Sequence, residues 1–421
     1  MTTVKLSAGT GSSVVIQRCQ VCDHPDLKSI LFLGYLPPVN QMRTMGEKPF
    51  EQPAYPAEML YCPNCQLVQI GLAVDPNILF APDYPYTSGT TKILRDNFAE
   101  LYQEVRTIVD LKSDDLVVDV GSNDGTLLSN FTAHRVLGIE PTLQSQLAIE
   151  RGIPSIMAFF TRETAEKAAA EHGKARVITA TNVFAHIENV HDIVEGILAL
   201  MANDGMFISE SHYLIGLLET VQYDTIYHEH LRYYSLHSLQ YLLNMHGLEV
   251  FHVKRIPTHG GSIRVYAARK GQYEIRPSVQ QILDAEAALG TDEHMFDVFK
   301  QKVVMSKLQL YALLSDIKAG GGRVYGIGAP SRASTLINYT GLDNGIIEAV
   351  MEVPGSHKIG KYMPGTLIPV LPETKLFEDQ PEYALLFSWH IADELMPKLT
   401  AKGFKGDFII PLPTPRIAKG G

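Results

Sequence analysis

Residues 115–131, DLVVDVGSNDGTLLSNF, decide the fold of this 421-residue chain. The mostly aliphatic run at 116–120 predicts a buried strand. Asp119 lies near its end, and Gly121 and Gly125 follow in a turn before a helical pattern. Glycines at such a turn let a ligand approach the backbone closely, as in a loosened dinucleotide-binding fingerprint, although glycines can also merely turn a tight loop.

A second predicted strand, RVLGIEP, ends at Glu140, about twenty residues beyond the turn. A carboxylate at that place accepts hydrogen bonds from both hydroxyls of a ribose, which NAD and S-adenosylmethionine (SAM) share. A third strand ends near Asn182, and GMFISES is a fourth. A late helix, SLHSLQYLLNMHG, and a strand pair at 248–269 follow. This order favours a class I methyltransferase over a dehydrogenase.

The alternation of strands and helices predicts an α/β chain with a mostly parallel sheet and one antiparallel edge. After Lys270 the sequence becomes helical, with a break near Gly290, and a second α/β set begins at RVYGIGA. We therefore expect an N-terminal module over 1–75, a Rossmann-like methyltransferase domain over 76–272 and a C-terminal Rossmann-like α/β domain over 273–421.

All four cysteines lie in the first 65 residues, as CQVC (Cys19, Cys22) and CPNC (Cys62, Cys65). Two C-x-x-C turns supply four sulfur ligands, which suits tetrahedral Zn²⁺. Free dithiols or redox motifs are the alternative. Four thiolates leave no open coordination position, so the spacing predicts a structural zinc that folds the N-terminal module.

The charge balance is acidic, with 46 Asp and Glu against 36 Lys and Arg. This disfavours nucleic acid or an anionic membrane as the main partner, because binding to either needs clustered cations. No apolar run reaches the length of a membrane-spanning helix. The N-terminus lacks the apolar region of a signal peptide, so we expect a cytoplasmic protein with reduced thiols.

The run YHEHLRYYS at 227–235 is the second decisive stretch. His228 and His230 could form a metal pair on a strand, or the run could be a solvated loop. We expect His228 to lie on the surface, and Tyr233 and Tyr234 to pack under the start of the helix that Ser235 caps.

The chain resembles the SAM-dependent C-methyltransferases of nucleotide-linked keto-deoxysugars. The motifs that carry the resemblance run nearly end to end: CQVC…CPNC, DYPYTSGTT, DVGSNDGTLL, TNVFAHI, YHEHLRYYSLHSL, GGSIRVY, YGIGAPSRASTLINY and HKIGKYMPGTLIPV. The family implies a zinc module, a SAM-binding middle domain and a C-terminal domain that helps to hold the nucleotide sugar. It also implies methylation of a carbon beside a ketone, commonly C3 of a 4-keto sugar linked to dTDP, GDP or CDP.

The resemblance also implies roles for individual residues. His230 would be the base, Glu229 and Tyr227 would bind or orient the sugar, and His186 with Tyr84 or Tyr86 would face the keto oxygen. The implied SAM-binding residues are Ser88, Asp119, Gly121, Asn123, Asp124, Gly125, Glu140, Pro141, Phe159 and Asn182. Arg332 or Lys358 would contact the diphosphate. Family members often have Lys-Gly where this chain has Arg332-Ala333, which bears on the nucleotide and the sugar that are bound.

Two other functions fit parts of the pattern. A SAM-dependent methyltransferase acting on oxygen or nitrogen would need a base but no enolate. A zinc-ribbon interaction protein with a degenerate methyltransferase fold would need no ligand at all, and the intact Asp119, Gly121 and Glu140 argue against it. The His186 side chain could instead be a core histidine. The sequence alone does not name the sugar, its nucleotide or the oligomeric state.

Overall fold

The computed structural model describes residues 7–8, 13–48, 50–79, 89, 92–290 and 293–420. Within these residues, the N-terminal module contains short antiparallel strands. They are β1 (Ser7–Ala8), β2 (Ser13–Val15), β3 (Lys28–Leu36), β4 (Tyr55–Tyr61), β5 (Val68–Ile70) and β6 (Leu72–Ala73), followed by the one-turn helix α1 (Pro76–Leu79). β1, β2 and β6 form one sheet, and β3, β4 and β5 form most of another.

The middle of the chain is a seven-stranded sheet with helices on both faces. Its elements are α2 (Lys92–Ile108), β7 (Leu116–Val120), β8 (Arg135–Ile139), α3 (Gln144–Glu150), β9 (Ser155–Ile156), α4 (Arg162–His172), β10 (Ala175–Thr181), α5 (Val190–Leu200), β11 (Met201–His212), α6 (Leu214–Glu219), β12 (Arg232–Tyr233), α7 (Leu236–Met245), β13 (Leu248–Ile256) and β14 (Ser262–Arg269). The strand order is β13-β14-β11-β10-β7-β8-β9. This is the α/β sheet that the sequence predicted, and the strand at 116–120 is confirmed.

Two details differ from expectation. The antiparallel strand β14 does not lie at the edge, because β13 pairs with its outer side. The helix predicted after the glycine turn is only a 3₁₀ turn at Leu128–Phe131. β8 already begins at Arg135, so the chain has no room for a longer helix between these two parallel strands.

β12 belongs to a different sheet from the strands on either side of it in sequence. It pairs with β5 of the N-terminal module, in the register Arg232↔Gln69 and Tyr233↔Val68. The N-terminal sheet therefore has the order β12-β5-β4-β3. A segment from the middle of the chain thus completes the sheet beside the cysteines.

The C-terminal part begins with two helices, separated near Gly290 as the sequence predicted. Its elements are α8 (Pro277–Leu289), α9 (Glu293–Ala319), β15 (Val324–Ile327), α10 (Ser331–Thr340), β16 (Ala349–Glu352), β17 (Val370–Pro372), α11 (Thr374–Asp379), β18 (Tyr383–Leu386), α12 (Ala392–Ala401), β19 (Asp407–Ile410) and β20 (Arg416–Ala418). The sheet order is β17-β16-β15-β18-β19-β20, and only the β19–β20 pair is antiparallel. Among the described residues, no helix is long and apolar enough to cross a membrane.

A buried ionic network fixes α2 against the central sheet. Arg264 on β14 donates from Nε to Glu210 on β11 at 2.6 Å, and both side chains are fully buried. Arg264 also pairs with Glu104 at 2.8 Å and Glu100 at 3.0 Å, both on α2. Asn97 of α2 donates to the second carboxylate oxygen of Glu210 at 2.9 Å. Since a buried cation without its carboxylate is costly, this network determines where α2 lies.

We expect Glu210→Gln to lower the free energy of unfolding by about 3 kcal/mol, because Arg264 loses a buried partner. Denaturant unfolding followed by tryptophan fluorescence and circular dichroism measures the change. Glu163→Gln is the matched control, since Glu163 pairs with Lys167 on the exposed face of α4 and should matter little. An equal loss in both variants would contradict a special role for the buried pair.

Candidate active site and metal centre

The four cysteines meet at one point. Their sulfur atoms all lie within 4.8 Å of one another, with Cys19 and Cys65 3.4 Å apart and Cys22 and Cys62 3.5 Å apart. Tetrahedral zinc with Zn–S bonds of about 2.3 Å needs sulfur atoms about 3.8 Å apart, so the cluster fits the ion. Three of the four side chains are buried. The hydrogen bond between Cys19 and Cys65 lowers the pKa of Cys19 and raises the pKa of Cys65.

The segment at 227–235 lies against this module and is not a solvated loop. His228 is only 1% exposed, so the expectation of a surface histidine was wrong. Its Nε2 lies 3.1 Å from the carbonyl of Pro56 at β4, and its ring packs edge-on against Tyr55. His228 therefore holds the segment to the N-terminal sheet.

The segment ends as the sequence predicted. Ser235 caps α7 by accepting from the backbone of Ser238 at 3.1 Å. Tyr233 and Tyr234 are buried where that helix begins. Among groups of three or more His, Cys, Asp or Glu in the described residues, only the four cysteines could hold a metal ion.

The glycine turn lies at the carboxyl end of β7, beside the ends of β8 and β10. Gly121 and Gly125 have φ of 68° and 74°, and a Cβ at Gly121 would collide with Val183, so both positions favour glycine. Asn123 and Asn182 adopt the same left-handed region, with φ of 49° and 58°. Turns of this kind bring backbone groups close to a ligand.

Two buried carboxylates flank that turn. Asp119 accepts from Thr179 at 2.6 Å, and burial raises its pKa to about 7, helped by the nearby charges of Glu140 and Glu210. Glu140 accepts from the backbone of Asn123 at 3.0 Å. SAM carries a sulfonium, an ammonium and a ribose diol, so one carboxylate near the cation and one near the ribose fit that cofactor.

The other residues predicted to bind the cofactor differ in their surroundings. Asp124 is buried and paired with Arg151 at 2.8 Å, so it braces the turn. Pro141 follows Glu140 directly and is partly exposed. Phe159 is 68% exposed, beyond β9. Ser88 lies outside the described residues.

His230 sits at the centre of a cluster of rings. Its ring centroid lies 4.2 Å from that of Tyr227, 5.0 Å from that of His186 and 6.0 Å from that of His212. Its Nδ1 lies 2.9 Å from the carbonyl of Thr225. A carbonyl can only accept, so Nδ1 carries the proton and Nε2 carries the lone pair.

Burial favours the neutral form of the histidines around this point. Burial lowers the pKa of His186 to about 4, although a hydrogen bond with the Glu229 backbone opposes the shift. Burial lowers the pKa of His230 well below its usual value, and His186 and His212 add to the effect. The cluster therefore offers neutral imidazoles, which can accept or donate a proton at physiological pH. Tyr84 and Tyr86 lie outside the described residues.

Asn40 of the N-terminal module connects Glu229 with the C-terminal module. Asn40, in the loop after β3, donates to Glu229 Oε1 at 2.7 Å and lies 3.2 Å from the Ser331 hydroxyl at the start of α10. Sequence reasoning missed Asn40, because a single asparagine in LPPVNQ carries no signal of its own.

His212 and His259 also line the cluster. His212 donates from Nε2 to the carbonyl of His259 at 2.8 Å. Its Nδ1 is buried and has no hydrogen-bond partner among the described residues. Sequence reasoning gave His259 no role.

The two cations predicted for the diphosphate have different environments. Arg332 is 6% exposed and lies 3.0 Å from Asp224, so its charge already has a carboxylate partner. Lys358 donates to the carbonyl of Ala329 at 2.6 Å. Burial lowers the pKa of Lys358, and the charges of Glu352 and Glu229 oppose that shift.

Comparison with known families covers nearly the whole chain. A model of a C-methyltransferase C-terminal domain matches residues 257–413, a methyltransferase domain matches 92–253, and a zinc-binding domain matches 19–80. The C-methyltransferase NovU of Streptomyces niveus is 33% identical over 410 residues, which is 96% of this chain and 97% of that protein.

Solved structures align with part of the chain. Magnesium protoporphyrin IX methyltransferase of Synechocystis PCC 6803, with bound SAH, is 14% identical, with 42% of this chain and 83% of that chain covered and a TM-score of 0.33. The YcgJ protein of Bacillus subtilis is also 14% identical, with 42% and 100% covered and the same TM-score. The family models and the four-cysteine cluster, rather than these structures, assign SAM to the central domain and zinc to the N-terminal one.

We expect purified, chelator-free protein to contain one equivalent of zinc and Cys62→Ser to contain less than about half an equivalent, since structural zinc needs all four ligands. Metal analysis and thermal unfolding measure the content and the loss of stability. Ser13→Ala is the control, since it also replaces a buried residue of this module but removes no cysteine. Full zinc content in the Cys62 variant would contradict the four-cysteine site.

We expect the affinity for SAM to fall about tenfold between pH 8 and pH 6. Asp119 has a raised pKa of about 7, so lowering the pH protonates it and removes the negative charge that attracts the cation. Calorimetric titration of SAM measures the effect. Asp119→Asn should bind SAM weakly, and its affinity should depend little on pH. Any pH dependence that remains in this variant comes from titration of the ligand itself. An equal pH dependence in both proteins would contradict the assignment.

Proposed function

This chain belongs to the family of SAM-dependent C-methyltransferases, and on that premise we propose that it methylates a nucleotide-linked 4-keto-deoxysugar. The proposed position is C3, the carbon next to the keto group. The product would be a branched deoxysugar, and the nucleotide would be dTDP, GDP or CDP. The observation that carries this proposal is the buried His230 in the cluster of rings, with its Nδ1 2.9 Å from the carbonyl of Thr225.

Methylation of carbon needs a nucleophilic carbon, which the sugar does not have before a proton is removed. A base must remove a proton from the carbon beside the ketone, leaving an enolate whose negative charge rests on the keto oxygen. SAM supplies the methyl group for the new carbon–carbon bond. The protein must therefore provide a base, donors for the oxygen and exact alignment of the reacting carbon.

We assign the base to His230. The Thr225 carbonyl holds its tautomer with the lone pair on Nε2, which is the form that can accept the proton from carbon. Its lowered pKa keeps it unprotonated at physiological pH. A base with a low pKa is weak in water, so its contribution depends on its fixed position beside the substrate.

The neighbouring groups suit the remaining tasks. We propose that His186, neutral and beside His230, donates to the keto oxygen and the enolate, with Tyr84 or Tyr86 as a second donor. Tyr227, whose ring is tilted by 32° to that of His230, and Glu229 would orient the sugar.

We propose that Lys358 binds the diphosphate. Its charge lies near Glu229, which connects the sugar site to the C-terminal module. Arg332 was predicted for the same role, but its guanidinium is already paired with Asp224. In this proposal residues 1–75 hold zinc, residues 76–272 bind SAM, and residues 273–421 hold the nucleotide.

We expect His230→Ala to slow exchange of the proton beside the ketone with solvent deuterium by about 10²-fold or more, because a positioned base contributes that much. The exchange is followed by mass spectrometry without SAM, so only the base is tested. His294→Ala, an exposed histidine on α9, is the control. Exchange at the wild-type rate in the His230 variant would contradict its assignment.

The substrate class is tested by incubating 4-keto-6-deoxysugars linked to dTDP, GDP and CDP with SAM and weighing the products. One methyl group gained on the sugar ring carbon supports the proposal. Methylation that persists after the ketone is reduced to an alcohol would favour transfer to oxygen or nitrogen instead.

A further inference from the structure

We propose that Arg332 is a positioning residue for His230, and that it acts from the C-terminal module through the turn at 222–226. The inference rests on the proposed role of His230 as the base. It gives Arg332 a role other than contact with the diphosphate.

Arg332, on α10, and Asp224, in the turn, form a buried ion pair between two modules. The guanidinium lies 3.0 Å from one oxygen of Asp224 through Nε and 3.1 Å from the other through Nη2. Trp389 donates from Nε1 to the same carboxylate at 2.8 Å, and its ring lies 5.2 Å from the guanidinium carbon of Arg332. A buried pair of this kind is costly to break, so the C-terminal module fixes the position of Asp224.

The turn that carries Asp224 is held in a strained form. Val221 has φ of 55°, a left-handed conformation that β-branched residues rarely adopt. Gln222 donates to the hydroxyl of Thr220 at 2.6 Å and to the carbonyl of Gly260 at 2.7 Å, while its oxygen accepts from Arg332 at 2.8 Å. Arg332 thus contacts two of the side chains that keep the turn in this conformation.

The turn leads directly to His230. Thr225 follows Asp224, and its carbonyl accepts the proton of His230 Nδ1 at 2.9 Å. The hydroxyl of Thr225 donates back to the carbonyl of Gln222 at 2.8 Å, which closes the turn. If Asp224 moves, the Thr225 carbonyl moves with it, and His230 loses the hydrogen bond that sets its tautomer and orientation.

Arg332 also affects the charge state of the cluster. It lies close enough to His212, His259 and His390 to lower the pKa of each, in addition to burial. His390 accepts directly from Arg332 at 2.6 Å. The titratable and charged groups that face His230 come from several elements: His186, His212, Tyr227, Tyr233 and His259. A neutral cluster is what a base in this place requires.

Direct binding of a diphosphate by Arg332 would require its present contacts to change. A phosphate at Arg332 would have to compete with Asp224 and Gln222, which already accept from its Nη2. It would also have to enter a site that is almost closed to solvent. The two roles therefore predict different effects of the same substitution.

The test compares Arg332→Lys, Arg332→Met and Asp224→Asn with Arg162→Lys, an exposed arginine paired with Glu166 and Glu195. Solvent exchange at the carbon beside the ketone is measured against sugar-nucleotide concentration and pH. A positioning role predicts that kcat for exchange falls about 10²-fold in the Met and Asn variants, with less loss in the Lys variant and an unchanged KM. A raised KM with unchanged kcat would overturn the proposal and favour diphosphate binding.

A measurement without substrate separates this inference from the proposed function. In protein labelled with ¹⁵N-histidine, the Nδ1-protonated signal of His230, identified by its loss in His230→Gln, should change in the Arg332 and Asp224 variants and stay unchanged in Arg162→Lys. An unchanged His230 signal in folded Asp224→Asn would overturn the inference even if the enzyme is active. If the wild type exchanges no keto-sugar proton but the signal responds as expected, the proposed function fails and the structural link stands.

Discussion

The pairing of β12 with β5 is the constraint on which the site depends. Two residues of the middle domain, Arg232 and Tyr233, complete the sheet of the zinc module. On one side of β12, Leu231 donates to the carbonyl of Ala185 at 2.7 Å, which brings His186 beside His230. On the other side, the carbonyl of Tyr234 accepts from Leu214 at 2.8 Å, where α6 begins. The pairing therefore holds together two loops that are distant in sequence.

Arg232 strengthens this arrangement from within the core. It donates to the backbone carbonyls of Ile187 and Glu188, each at 2.5 Å, in the loop that carries His186. In the same strand pair, Gln69 accepts from the backbone of Gln20 at 2.9 Å, between the first two cysteines. The metal module and the loop that carries His186 are thus joined by short chains of hydrogen bonds.

Much of the fold was predictable because it rests on local patterns. The strand at 116–120, the cap at Ser235 and the cysteine pairs follow from periodicity, capping and ligand spacing, which need only neighbouring residues. His228 could not be predicted in the same way, since its burial depends on β4, a strand more than a hundred and fifty residues earlier. Asn40, Asp224 and Trp389 were missed for the same reason: each acquires its role only through a contact with another module.

The contacts of Asn40 have a consequence for the exchange of modules between related enzymes. This one side chain of the zinc module touches Glu229 of the middle domain and Ser331 of the C-terminal domain. A chimera that takes its C-terminal module from a relative would carry a new partner for Asn40, as well as new partners for Asp224. The three modules match separate family models, but these contacts cross between them, so recombination that preserves activity has to transfer the contact residues together.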